Sequence, residues 1–418
     1  MKPLNKLISM FAVVAMVLSS CEGEDQLQSE NTLPDLRSMS VQELEVIEAA
    51  NNFSMDILAS INAGHATENI FISPFSISAA LSMTANGAKG ETREAIKRVL
   101  HTSHLSDQEM NEAYRDLVKY LLELDKKTDL QIANSNWYTH KLNIKPDFKS
   151  VLRDYYDAEV KAADFDDPAT LDLINGWIEN KTRGKIKDML DLIEPDAIMY
   201  LINAIYFKSE WKYTFEKNLT SKKAFYTSSG EKQVDMMHSK GVKLARFYHE
   251  DFALADLPYG NGQYSMTVLV SNRDKDINDI IAGLDAEKLD DFINQADTAT
   301  MEVYFPKFTM EFKKELSNVL ADIGMGLAFT RYADFKGLFQ DELERVAISR
   351  VLHQSFIEVN EKGSEAAAAT IVEMIIMPIS LLPPLGPPIF NVNRPFVFFI
   401  REKHSNTILF AGKMLDPS

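Results

Sequence analysis

The chain of 418 residues contains one cysteine, Cys21, so no disulfide can form within it. Its eight histidines fall in no His-Glu-x-x-His helix and no Cys/His cluster, so neither a metal site nor a cofactor is expected. There is no Gly-x-Ser-x-Gly elbow and no Gly-x-Gly-x-x-Gly after a strand. Gly87-Ala88-Lys89-Gly90-Glu91-Thr92 lacks the spacing of a phosphate-binding loop. Serines, histidines and aspartates exist, but nothing in the sequence gathers them into a triad, and the chain is not read as an enzyme. Excess positive charge is also missing. A formal net charge of −17 argues against nucleic acid, polyanions and anionic membrane surfaces as partners. No internal repeat and no Gly/Ser-rich linker interrupts residues 45–360, which favours one large domain.

Long apolar runs are scarce. The most apolar stretch, Leu7 to Leu18, is shorter than the roughly 20 residues a spanning helix needs. Lys2 and Lys6 precede it and Leu18-Ser19-Ser20-Cys21 follows, the pattern of a secretory signal over residues 1–20. The Leu-Ser-Ser-Cys sequence resembles the bacterial lipobox, which implies acylation of Cys21 and a lipid anchor in a membrane. The acidic Glu22-Gly23-Glu24-Asp25 resembles an export signal of some surface lipoproteins, so an outer-membrane or cell-surface location is expected. Residues 21–43 read as a flexible tether, with the folded domain spanning 44–418.

Apolar residues near helical spacing begin at Val41 with Leu44, Ile47, Phe53, Ile57 and Leu58. Further helices are predicted over 76–86, 91–100, 107–124 and 170–182. Strands are predicted over Ala253–Leu257, Met266–Val270, Met301–Phe305, Phe356–Asn360, Phe396–Ile400 and Ile408–Ala411. Helices early and strands late imply an α+β domain built on large mixed sheets.

Residues 361–394 carry the most information. Ser364 to Ala369 could form a short alanine-rich helix, but that leaves the apolar run Ile371–Met377 exposed beside it. Period two is more economical. One face then holds Ser364, Ala366, Ala368, Thr370, Val372, Met374 and Ile376 and no charge. The other holds Glu365, Ala367, Ala369, Ile371, Glu373, Ile375 and Met377. Neither Gly nor Pro occurs between 364 and 377, and Pro378 closes the run. Such a segment can become a central strand with one buried and one wet face.

Glu361-Lys362-Gly363-Ser364-Glu365-Ala366-Ala367-Ala368-Ala369-Thr370 resembles the hinge of the reactive-centre loop of inhibitory serpins. Before it stand Val351, His353 and Phe356-Ile357-Glu358-Val359-Asn360; after it comes Asn393-Arg394-Pro395-Phe396-Val397-Phe398-Phe399-Ile400. Other motifs follow the family order. They are Asn69-Ile70-Phe71-Ile72-Ser73-Pro74-Phe75-Ser76-Ile77, Gly87-Ala88, Gly90-Glu91-Thr92, Asn175, Trp177, Thr182 and Gly184-Lys185-Ile186. The series continues with Asn203-Ala204-Ile205-Tyr206-Phe207-Lys208, Trp211, Phe215, Pro306-Lys307-Phe308, Gly324-Met325 and Ala333-Asp334-Phe335. The resemblance covers 44–418, with the loop at about 361–390.

The resemblance implies a large mixed main sheet, two smaller sheets, about nine helices and an exposed loop. It also implies inhibition of serine or cysteine proteases. The protease attacks the loop and becomes covalently attached, and the freed hinge enters the main sheet as a new strand. The hinge residues are then Glu361, Gly363, Ser364, Glu365, Ala366, Ala367, Ala368, Ala369 and Thr370, with Ile375, Ile376 and Met377 as bait. The family spacing places the cut after Met377, but proteases cleave poorly before proline, so Ile376–Met377 is favoured over Met377–Pro378 and Ile379–Ser380. With no Lys or Arg from 364 to 393, elastase-, subtilisin- or cathepsin-like targets suit the bait better than trypsin-like ones. The protein is expected to act as a monomer. The alternative is a non-inhibitory serpin that binds or carries a ligand.

Overall fold

The computed structural model describes residues 36–341, 343, 346–364 and 387–418. The first half runs through α1 (Val41–Gly64), β1 (Ile70–Ile72), α2 (Pro74–Gly87), α3 (Gly90–Val99), α4 (Asp107–Glu123), β2 (Asp129–Thr139), α5 (Pro146–Tyr156), β3 (Glu159–Ala163), α6 (Ala169–Lys181) and β4 (Met199–Glu210). The second half holds β5 (Ser221–Thr227), β6 (Gly230–Tyr248), β7 (Phe252–Pro258), β8 (Tyr264–Ser271), α7 (Ile277–Gly283), α8 (Ala286–Asn294), β9 (Asp297–Pro306) and β10 (Phe308–Glu315). It ends with α9 (Ser317–Leu320), β11 (Leu352–Asn360), β12 (Gly363–Ser364), β13 (Ile389–Asn391), β14 (Phe396–Glu402) and β15 (Ile408–Met414).

The α+β class holds, but helices and strands interleave: β2, β3 and β4 lie in the half expected to be helical. The folded body also begins earlier than residue 44. Ser40 and Glu43 form a reciprocal capping box that starts α1 at Val41. Arg37 pairs with the buried Glu43 carboxylate and donates to Asp116 O at 3.1 Å, which ties residues 37–43 to α4 rather than leaving them as tether.

The described strands form two sheets. A six-stranded mixed sheet has the order β10-β11-β12-β4-β2-β3, with only β2 and β3 parallel. The other follows the path β1-β15-β14-β8-β7-β6-β9-β13, with β5 attached to β6. Here the two smaller sheets expected from the sequence are continuous, because the long β6 pairs with β5 before its irregularity at Ser239/Val242 and with β7 beyond it. β8, β14 and β15 are buried along their whole length, as strands apolar on both faces should be. The core between the sheets is rich in phenylalanine: Phe71 stacks on Phe410, and Phe396 and Phe398 pack against Phe308. A second cluster of Trp137, Ile174, Trp177, Ile178 and Ile202 seats α6 on the six-stranded sheet.

Candidate functional site

The segment expected as the hinge begins where β11 ends. Asn360 and Gly363 are paired, as are Val359 and Ser364, so the chain turns back on itself within four residues. The returning piece also pairs with the strand on its other side, Gly363 with Glu210 and Ser364 with Ser209 of β4. Thus β12 is a two-residue strand between β11 and β4. Only glycine fits at 363: φ is +152°, and a Cβ there would lie 2.1 Å from Ser209 O and 2.5 Å from Glu210 Cα.

Buried side chains fasten this turn. Trp211 N–H donates to Lys362 O at 2.7 Å and its Nε1–H to Asn360 O at 3.0 Å. Its ring stacks on Tyr259, with centroids 4.3 Å apart, and the Tyr259 and Ser364 hydroxyls are 2.9 Å apart. Ser364 therefore faces the core. Glu361, also buried, accepts from Lys307 Nζ at 3.0 Å and from Thr220 Oγ1 at 3.0 Å. Burial by itself would raise the Glu361 carboxyl, but bonds from its own backbone, Lys307 and Thr220 outweigh it and hold the group below the usual carboxylate range.

Below Ser364 the two neighbouring strands part. Among the described residues β11 pairs only with β10 and β12, and β4 only with β2 and β12. Two cavities lie along this seam. A small one, about 20 Å³, sits directly beneath Ser364, between Tyr206 and Phe207 of β4 and Phe356 to Glu358 of β11. A larger one of about 180 Å³ lies between Met199–Asn203 of β4 and Val351–His353, with Ser76, Ala80 and Thr84 of α2 beneath.

The floor under the larger cavity is polar and neutral. Ser73 N–H donates to His353 Nε2 at 3.1 Å, Ser76 Oγ bonds Asn203 Oδ1, and Asn203 Nδ2 donates to Asn134 Oδ1 at 2.7 Å. Burial alone pushes the His353 imidazole down to about 4, so near neutral pH the ring is uncharged and its Nε2 accepts. One surface cluster, His249, Glu250 and Asp251, brings potential metal-ligand atoms within 4.8 Å of one another, but Lys275 Nζ already pairs with Asp251 at 2.5 Å. Among the described residues, no helix is long and apolar enough to cross a membrane.

Of the hinge residues expected from sequence, Glu361, Gly363 and Ser364 are brought together here. Glu365, Ala366, Ala367, Ala368, Ala369, Thr370, the bait residue Ile375, the reactive-bond residues Ile376, Met377 and Pro378, and Cys21 lie outside the described residues. Lys307, Asn203 and His353 stood in motifs without an assigned role. Tyr259 and Thr220 carried no sequence signal, since their partners are 105 and 141 residues away.

Comparison with known proteins agrees with this geometry. The family model described as Serpin (serine protease inhibitor) matches residues 48–417. An uncharacterized serpin-like protein of Thermococcus kodakarensis is 33% identical over 383 residues, covering 90% of this chain and 87% of that protein. Human Serpin B11 is 32% identical, covering 87% and 97%. Among solved structures, the thermophilic serpin tengpin in its native state superposes with a TM-score of 0.81 at 31% identity, covering 91% of this chain and 95% of that one. Human thyroxine-binding globulin complexed with thyroxine gives 0.81 at 25% identity, covering 90% and 100%. With its motifs in order, its hinge seated at the head of a parted sheet and its whole domain matched, the chain belongs to the serpin family, whose members are mostly protease inhibitors.

Proposed function

We propose that this serpin is a suicide inhibitor of serine endopeptidases, and of cysteine endopeptidases that form the equivalent acyl-enzyme. One observation carries the reading: Gly363 and Ser364 already pair with both β11 and β4, and the seam opens directly below them. Extending both registers would bring Ala366 between Phe207 and Ile357, Ala368 between Ile205 and Ser355, and Thr370 between Asn203 and His353. Ser364 points to the core, so the uncharged face Ala366, Ala368, Thr370, Val372 and Met374 would follow it inward over the two cavities. Small residues come first, where the seam must part.

In the mechanism, the protease nucleophile attacks the carbonyl carbon of Ile376. The peptide bond to Met377 breaks, its nitrogen leaves as an amine carrying the proton taken from the nucleophile, and an ester or thioester links Ile376 to the protease. The freed hinge then enters the seam. Fourteen strand residues span about 46 Å at roughly 3.3 Å each, enough to carry the attached protease along the sheet before water reaches the acyl group. The aliphatic bait fits elastase-like and subtilisin-like enzymes. The lipobox-like sequence at Cys21 supports a lipid-anchored form at the outer membrane or cell surface.

Incubation with elastase, subtilisin and trypsin followed by denaturing electrophoresis tests the reading. A complex stable in SDS is expected with the first two, with a released fragment whose N-terminus is Met377. Plain digestion by all three sinks it and leaves the carrier alternative.

A further inference from the structure

A segment of the chain next to the loop carries charge opposite in sign to the rest. From Lys208 to Arg246 there are nine lysines and arginines against four acidic residues, so the remainder carries a formal −22. This segment supplies β5 and most of β6, which stand close to the point where the chain returns from the bait. β6 pairs with β9 and β9 with β13. At the end of β5, Tyr226 N–H donates to Asn393 O at 2.8 Å, two residues beyond β13.

Two cationic groups flank β13. In one, Lys223 Nζ lies 4.9 Å from the centre of the Tyr304 ring, and the charge of Lys240 acts on Glu302. Glu302 and Tyr304 pair with Ile389 and Asn391, and Glu302 is already engaged by Tyr304 Oη at 2.8 Å and His238 Nε2 at 2.6 Å. In the other, Arg394 and Arg273 are close enough that, after burial, the Arg273 charge is the next influence lowering the Arg394 guanidinium. Arg394 donates only to the Asn393 amide oxygen, at 3.1 and 3.2 Å. Among the described residues, Lys223, Lys240, Arg273 and Arg394 make no ion pair. Ile389, 55% exposed, stands on β13 and Tyr226, 46% exposed, on β5.

Exposed Ile and Tyr side chains beside arginine are a composition enriched at protein-binding surfaces, and the lysines supply charge at the polar rim. The bait needs such help. It is aliphatic, and one methylene more or less in a pocket changes discrimination by only about 10–200-fold. We propose that this face is an exosite for an acidic surface beside the active site of the target endopeptidase, on the side that holds the leaving segment. The proposal rests on the inhibitor reading. A protease docked at this end meets the local positive field, whereas a long polyanion would also meet the −22 of the remainder.

The test uses subtilisin and succinylated subtilisin, which share an active site but differ in surface charge. At low salt the intact protein is expected to inhibit the succinylated form roughly tenfold faster, an advantage that fades as salt is raised. Lys223→Glu/Arg394→Glu should abolish that advantage without slowing inhibition of unmodified subtilisin, which also shows that the variant folds. Arg153→Glu on α5 should keep it. A rate indifferent to succinylation and salt overturns the proposal. So does dextran sulfate accelerating inhibition of unmodified subtilisin, which would assign the face to a polyanion. Binding of subtilisin with its active serine blocked reads the surface alone. Charge-dependent binding without inhibition contradicts the inhibitor reading but not the surface, and charge-independent binding contradicts the surface.

Discussion

Replacing Ala368 with glutamate tests which face of the hinge turns inward. The extended register would set position 368 between Ile205 and Ser355, both buried in the sheet. A carboxyl group there must either protonate or stay charged without a partner, and even the neutral form costs about 3 kcal/mol when its hydrogen bonds are unmade. If that cost falls on the insertion barrier, insertion slows roughly 150-fold, and hydrolysis of the acyl-enzyme overtakes trapping. The assay is the stoichiometry of inhibition with subtilisin, read by titration and by the ratio of complex to cleaved inhibitor on a gel. Ala368→Glu should be consumed as a substrate with little complex formed. Ala367→Glu is the control. It would lie between Tyr206 and Phe356 on the other face, where Phe356 is only half-buried and Lys185 Nζ, 4.8 Å from its ring centre and paired with Glu358 at 3.7 Å, adds positive charge. Its stoichiometry should stay near that of the parent. Equal loss in both variants refutes the face assignment.

His353 should give the intact protein an acid-sensitive component of stability. Its folded value is depressed from 6.5 to about 4, so the unfolded chain binds the proton more readily. This contribution is present above pH 6.5, is lost as pH falls towards 4, and amounts to about 3 kcal/mol when complete. Urea titrations at pH 7 and pH 4 should show that loss, and His353→Gln should remove this component while leaving that of depressed carboxylates such as Glu361 and Glu43. Gly363→Val should destabilise the native protein by at least about 1–3 kcal/mol, because its side chain would strike the β4 backbone at Ser209 and Glu210; an unchanged melting temperature would contradict the pairing described for β12. Cys21→Ser should abolish lipid labelling and membrane retention while leaving inhibition by the purified protein intact, and continued membrane association removes the lipoprotein reading.

The hinge reading rests on a local code. Period two from Ser364 onward separates a neutral face from a charged one, and the buried Ser364 hydroxyl lies on the neutral side. Central strands such as β8 and β14 were legible for the same reason, as short apolar runs without Gly or Pro. What sequence could not supply was adjacency. β4 and β11 are about 150 residues apart, and neither pattern says that they stand beside each other with an open seam. Tyr259 reads as an ordinary turn tyrosine until the fold brings it to Ser364, and Thr220 as an ordinary loop residue until it meets Glu361. The domain was bounded at residue 44 although apolar spacing begins at Val41, because the capping box at Ser40 and the Arg37–Glu43 pair depend on polar residues that apolar spacing does not register.

The central claim is that the cleaved loop fills the seam between β4 and β11. Hydrogen–deuterium exchange before and after cleavage near Ile376 tests it most directly, with melting temperature measured on the same samples. Peptides covering 199–208 and 352–358 should become strongly protected, and the cleaved protein should melt at a much higher temperature than the intact one. Exchange in both strands that is unchanged by cleavage, with nicked and intact protein melting together, would contradict the account.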